Sequence, residues 1–152
     1  MRTEQLYTLM MYKWVFLNLF FLFANASKVQ TKVVADITGF KDNTGVCRAC
    51  IFNSASSFSG KGQPFQCIVV PINNTTIQAI FENIPSGVYA ISVFHDINNN
   101  NQMDKNFFGI PKEGYGASKN KLPFATAPSF KDNKFFVAAN TTTQLIIKIR
   151  NL

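Results

Sequence analysis

Apolar and polar residues alternate with a period of two along most of this chain, the pattern of strands with one face buried. "KVQTKVVADITGF" (Lys28–Phe40) alternates from Val29 and stops at Gly39. "GVCRACIFN" (Gly45–Asn53) puts Cys47, Ala49 and Ile51 on one side. "FQCIVVPI" (Phe65–Ile72) and "TTIQAIFENI" (Thr75–Ile84) follow, separated by Asn73-Asn74. "GVYAISVFHD" (Gly87–Asp96) gives Tyr89, Ile91, Val93 and His95 a common face. "FKDNKFFVAA" (Phe130–Ala139) and "TTQLIIKI" (Thr142–Ile149) complete seven expected strands. No window after Ser27 carries a helical stripe, so the pattern predicts an all-β, antiparallel sandwich or barrel.

One segment breaks the rhythm. From Asp96 to Ser129 there is little alternation, and Gly109, Pro111, Gly114, Gly116, Pro123 and Pro128 punctuate the run. A connection this long is either functional or disordered. Phe107, Phe108, Ile110, Tyr115, Leu122 and Phe124 give it apolar surface to bury, which argues for an ordered loop packed on the sheets.

That loop carries the candidate chemistry, in "HDINNNNQMDKNFFGIPKEGYG" (His95–Gly116). Calcium takes six to eight oxygen ligands, and alternate residues of a tight loop can present them from one side. Asp96, Asn98, Asn100 and Asp104 fall at positions 1, 3, 5 and 9 of such a loop, with a backbone carbonyl available at Gln102. The likeness to an EF-hand is incomplete. Asn101 stands where glycine is usual, Phe107 where a bidentate glutamate is usual, and no helix pair flanks the loop. Glu113 adds a third carboxylate if the loop folds back. The competing reading is a solvated polar turn whose Asn and Asp side chains bond their own backbone. His95 beside Asp96 is a candidate acid–base group, but no Ser or Cys nucleophile accompanies it, and a lone histidine at a strand end is ordinarily structural.

Charge and cysteines narrow the setting. The sequence has 152 residues and a formal net charge of +7, or +6 from Ser27 onward. Its cations are scattered singly, unlike the clustered face of a nucleic-acid binder. Arg2 and Lys13, the apolar run Trp14–Phe23 and the small residues Ala24 and Ala26 have the layout of a secretory signal, too short to span a membrane. The domains expected are therefore a signal peptide, 1–26, and one domain, 27–152. In an oxidising compartment Cys47 and Cys50, three apart on a strand, face opposite sides and cannot bond each other. The pairing favoured is Cys50–Cys67, with three unpaired thiols as the alternative. Asn73, Asn74 and Asn140 head glycosylation sequons, which Asn-rich composition also produces by chance.

"FENIPSGVYAISVFHD" (Phe81–Asp96) joins a Pro-x-Gly turn to a strand and resembles the hairpin of prealbumin-like sandwiches. With the Asp-Asn run, "NFFGIPKEGYGASKN" (Asn106–Asn120) and "PSFKDNKFFV" (Pro128–Val137), the chain resembles the secreted bacterial family called domain of unknown function 2141, from about Val33 to Ile149. The resemblance implies an exported, single-domain, Ig-like (prealbumin-like) sandwich and brings no biochemical activity with it. It also implies glycine in place of Asn101 and aliphatic residues in place of the thiols of Cys47 and Cys50.

The expectation is thus an exported binding or interaction module, not an enzyme, in the periplasm or outside the cell. Calcium would hold residues 96–129 through Asp96, Asn98, Asn100, Gln102, Asp104 and Glu113, and Phe107, Phe108 and Tyr115 would face a protein or glycan partner. A monomer is expected, with no nucleic-acid partner and no transmembrane segment once the signal is removed. The alternatives are a metal-independent structural domain of the envelope and a metal-dependent hydrolase built on His95, Asp96, Asp104 and Glu113.

Overall fold

A computed structural model describes residues 30–123 and 126–151; the signal peptide expected at 1–26, and Phe124, lie outside the described residues. The fold is all-β, in two sheets. β1 (Lys32–Thr38) lies between β4 (Thr76–Glu82) and β8 (Thr142–Lys148). The second sheet runs β3 (Gln66–Pro71), β2 (Val46–Phe52), β5 (Gly87–Asp96) and β6 (Tyr115–Ala117), with β7 (Phe135–Val137) also paired to β5.

Alternation decides which residues go inside. Val33, Ala35 and Ile37 of β1 sit opposite Phe81, Ala79 and Ile77 of β4, and all six are buried. Cys47, Ala49 and Ile51 of β2 face His95, Val93 and Ile91 of β5 in the same way. These inner faces, with Ile147 and Val137, form one core cluster drawn from both sheets, so the sheets pack on each other as a sandwich. All the strands and the core cluster found among the described residues lie between Lys32 and Ile149. On the outer face Asp36 accepts hydrogen bonds from Gln144 Nε2 and Gln78 Nε2, both 2.9 Å, and these hold its carboxyl below the usual range.

Three expectations are corrected. Among the described residues there are eight strands, not seven, because β6 forms inside the segment expected to be loop. β6 is only "YGA", too short for a readable period, and it is recruited by β5 through Ser92–Ala117 and Phe94–Tyr115. The sandwich is not wholly antiparallel: β1 and β8 run parallel, Val33 opposite Thr143 through Ile37 opposite Ile147. Alternation fixes a strand's face but says nothing of its neighbour's direction. Finally, "FKDN" is a helical turn, α1 (Phe130–Asn133), not the start of a strand. Ser129 caps it: its Oγ accepts from Asp132 N at 3.1 Å and donates to Asp132 Oδ2 at 2.6 Å.

Cys50 and Cys67 are opposite each other in the β2–β3 register and joined by a disulfide, while Cys47 is a free, buried thiol. The bridge closes a loop of sequence separation 17. The Cys50→Ala/Cys67→Ala variant is expected to lose about 3 kcal/mol of stability, from the chain entropy that such a bridge removes from the unfolded state. That is a fall of roughly 10 °C in melting temperature, and reductant should lower the wild type to the level of the variant.

Candidate functional site

β5 ends by placing two adjacent residues on opposite faces. His95 points into the core and is fully buried, its ring edge-to-face with Phe40 at 5.5 Å. Its Nε2 donates to Thr44 O at 2.8 Å, so the proton sits there, and buried Nδ1 has no hydrogen-bond partner. Cys47 lies opposite it, and burial pushes that thiol up to about 12, which keeps it protonated at neutral pH.

Asp96 points outward, yet it too is fully buried, because the loop that follows folds over it. Arg48, diagonal to it on the outer face of β2, donates from Nε to Asp96 Oδ2 at 2.5 Å. The same guanidinium donates from its second terminal nitrogen to Asn99 Oδ1 at 2.7 Å. Asn100 N and Asn101 N donate to Asp96 Oδ1 and Oδ2 at 3.0 and 2.9 Å. Burial alone would raise the Asp96 carboxyl; the hydrogen bond from Arg48, the two amides and the guanidinium charge outweigh it and hold the carboxyl below its ordinary value.

The rest of the run folds on itself. Asn98 Oδ1 accepts from Asn100 N, and Asn100 Oδ1 from Gln102 N, the local bonds that make asparagine a turn residue. Asn99 and Asn101 take left-handed φ values of 54° and 68°, which asparagine tolerates better than most side chains. The side-chain amides of Asn98 and Asn100 donate to Asp104 Oδ2 and Oδ1 at 2.9 and 3.0 Å. Buried Glu113 closes the far side: Oε1 accepts from Ile97 N at 2.9 Å and Oε2 from Asp104 N at 3.0 Å. Gly45, at φ 67°, packs so close that a Cβ there would overlap the Asp96 carbonyl oxygen.

Beyond this clamp the chain makes a tight outer turn. Lys105 bridges Pro111, and Lys112 N donates to Asp104 O at 2.8 Å. Asn106 Oδ1 accepts from Phe108 N and Ile110 N, setting the turn. Phe107 is 98% exposed and Phe108 82%, stacked edge-to-face on each other at 5.6 Å. Tyr115, expected beside them, is instead half-buried in β6, opposite Phe94 and bridged to Arg150.

So the structure brings Asp96, Asn98, Asn100, Asp104 and Glu113 into one network, with Gln102 joined through its backbone N–H. His95 is on the other side of the sheet, so the four residues of the hydrolase alternative do not converge. Among the described residues, no three His, Cys, Asp or Glu side chains are grouped to hold a metal ion. The hydrogen bonds tie the loop on both sides of Asp104 and leave Phe107 and Phe108 exposed beyond it.

Residues 35–145 match the model of a family described as an uncharacterized protein conserved in bacteria, DUF2141. The chain belongs to this family. No curated protein and no solved structure matches it. Family membership therefore agrees with the sequence motifs and brings no activity with it, so the residues of the site carry the functional reading.

Sequence reasoning missed three anchoring residues. Arg48 was visible as a lone charge inside an apolar strand, but its partner is remote in sequence. Asn133, fully buried, donates to Lys121 O and Ser129 O and accepts from Lys119 N and Lys121 N, tying the later half of the segment. Arg150 donates to Leu122 O and Pro123 O. Neither had a local pattern to reveal it.

A depressed carboxyl contributes stability above its unfolded pKa and loses it as pH falls through the folded value. Asp96 starts from 3.8, so its contribution is complete at neutral pH and is lost below about pH 4. Asp96→Asn should flatten the acid limb of the stability curve in part, since Asp36 also contributes to it. Equal acid slopes in wild type and variant, by urea melts across that range, would contradict the assignment.

Proposed function

We propose that this protein is an exported interaction module whose working part is the Lys105–Lys112 tip, held away from the sandwich by the Asp96–Glu113 network. The observation that carries this reading is the near-complete exposure of two adjacent phenylalanines on a loop otherwise tied by side-chain to backbone hydrogen bonds. Rings that served only to fill the end of the sandwich would be covered. The export part rests on the leader-like layout of residues 1–26, and mass analysis of the protein from the periplasm of a bacterial host should give a chain beginning at Ser27.

A second reading adds a calcium-type cation at Asp96, Asn98, Asn100, Gln102, Asp104 and Glu113. It is supported by the left-handed Asn101 at the turn position of a calcium loop, and by alternate oxygens gathered within one short run. It is opposed by Arg48, which already supplies positive charge to Asp96.

Two measurements test these readings. Phe107→Ser/Phe108→Ser should change stability by less than about 0.5 kcal/mol, as expected where side chains touch little else. A loss of several times that would make the rings structural and end the proposal. Calcium at a hundredfold excess over its dissociation constant should raise stability by about 2.7 kcal/mol, on the order of 10 °C. Identical melts in calcium, magnesium and chelator would leave Arg48 as the cation of the loop.

A further inference from the structure

We infer that the tip is an anchor for an anionic lipid bilayer, a step that rests on reading the tip as the working surface. Four features of the turn carry it. Phe107 and Phe108 project almost free of the protein, and Ile110 beside them is 49% exposed. Gly109, at φ 77°, has nothing within 4 Å of where a Cβ would be, so the turn is a convex protrusion and not the wall of a groove. The apolar positions are flanked at the base of the turn by the exposed cations Lys105 and Lys112. Among the described residues neither lysine is in an ion pair with the neighbouring carboxylates: Glu113 is buried, and both oxygens of half-buried Asp104 accept from asparagine amides.

A convex knob with aromatic rings at its end and lysines behind them matches the depth profile of a membrane interface. Phenylalanine rings bury at the boundary of headgroups and acyl chains, and ammonium groups stay with the phosphates. A glycan would need convergent hydrogen-bonding side chains around the rings, and at this turn Asn106 Oδ1 is spent on the backbone. A protein pocket could receive the same knob, but it would give the paired lysines no general role. The overall charge of +6 from Ser27 onward favours the same anionic surface.

The test uses the chain recovered after export, expected to begin at Ser27, and vesicles of phosphatidylcholine, alone or mixed equally with phosphatidylglycerol. The one Trp of the chain is Trp14, so Phe108→Trp in this fragment is a sole fluorescent reporter at the tip. Its emission should shift to the blue with the anionic vesicles and be quenched by brominated acyl chains. In sedimentation, Phe107→Ser/Phe108→Ser should weaken binding by about tenfold or more. Lys105→Gln and Lys112→Gln should each weaken it about fivefold, with added salt acting in the same direction.

An unshifted tip tryptophan, or equal sedimentation of wild type and the phenylalanine variant, overturns the membrane assignment. Loss of binding to a protein partner in that same variant, with vesicles inert, would replace the bilayer by a protein and keep the tip as the working surface. A phenylalanine variant that melts far below the wild type would instead sink the underlying reading of the tip.

Discussion

The pairing of half-buried Arg48 with fully buried Asp96 is the interaction on which the rest of this structure depends. A carboxylate with no exposed surface is expensive unless its lone pairs and charge are met. Here the guanidinium meets the charge at Oδ2, and two successive backbone amides donate to Oδ1 and Oδ2. To bring those amides within reach, the chain must reverse immediately after β5. That reversal puts Asn99 where the same arginine can bind it, and hands the chain on to Asp104 and Glu113. Removing the arginine alone would leave an uncompensated charge in place, which is the costly way to break such a pair.

From this clamp the outer turn follows. Asp104 is held from both sides, its backbone by Glu113 and Lys112 and its carboxylate by two asparagine amides. The six-residue span from Lys105 to Ile110 is therefore launched from a fixed base. A rigid base suits the binding role proposed for the tip, because ordering a flexible loop on binding would subtract from the affinity of its rings. The family to which the chain belongs is uncharacterized, so the functional proposal rests on the residues themselves.

The strands were legible in the sequence because one face of each is buried, and burial enforces alternation. Val33, Ala35 and Ile37, or Ile91, Val93 and His95, could be assigned to an inner face from their spacing alone. Parity also separated Cys47 from Cys50. The parallel pairing of β1 with β8 was not legible, since neighbour direction leaves no trace in periodicity. The loop was legible in part: its asparagines announced turns, and Glu113 was named as a third carboxylate should the loop fold back. Calcium was the cation expected for this loop, and the positive charge seen beside Asp96 is that of Arg48. That contact spans 48 positions of sequence, and only the β2–β5 register brings it about. Tyr115 was grouped with the exposed rings because β6 is too short to announce itself.

The most direct measurement is amide hydrogen exchange at Asn100 and Asn101, in chelator, for the wild type and Asp96→Asn. If Arg48 and Asp96 hold the loop, both amides are protected in the wild type without any metal, and both exchange at least about tenfold faster in the variant while β1, β2 and β5 stay unchanged. Free exchange of these two amides in the wild type, with protection appearing only when calcium is added, would contradict the account and return the loop to an external cation.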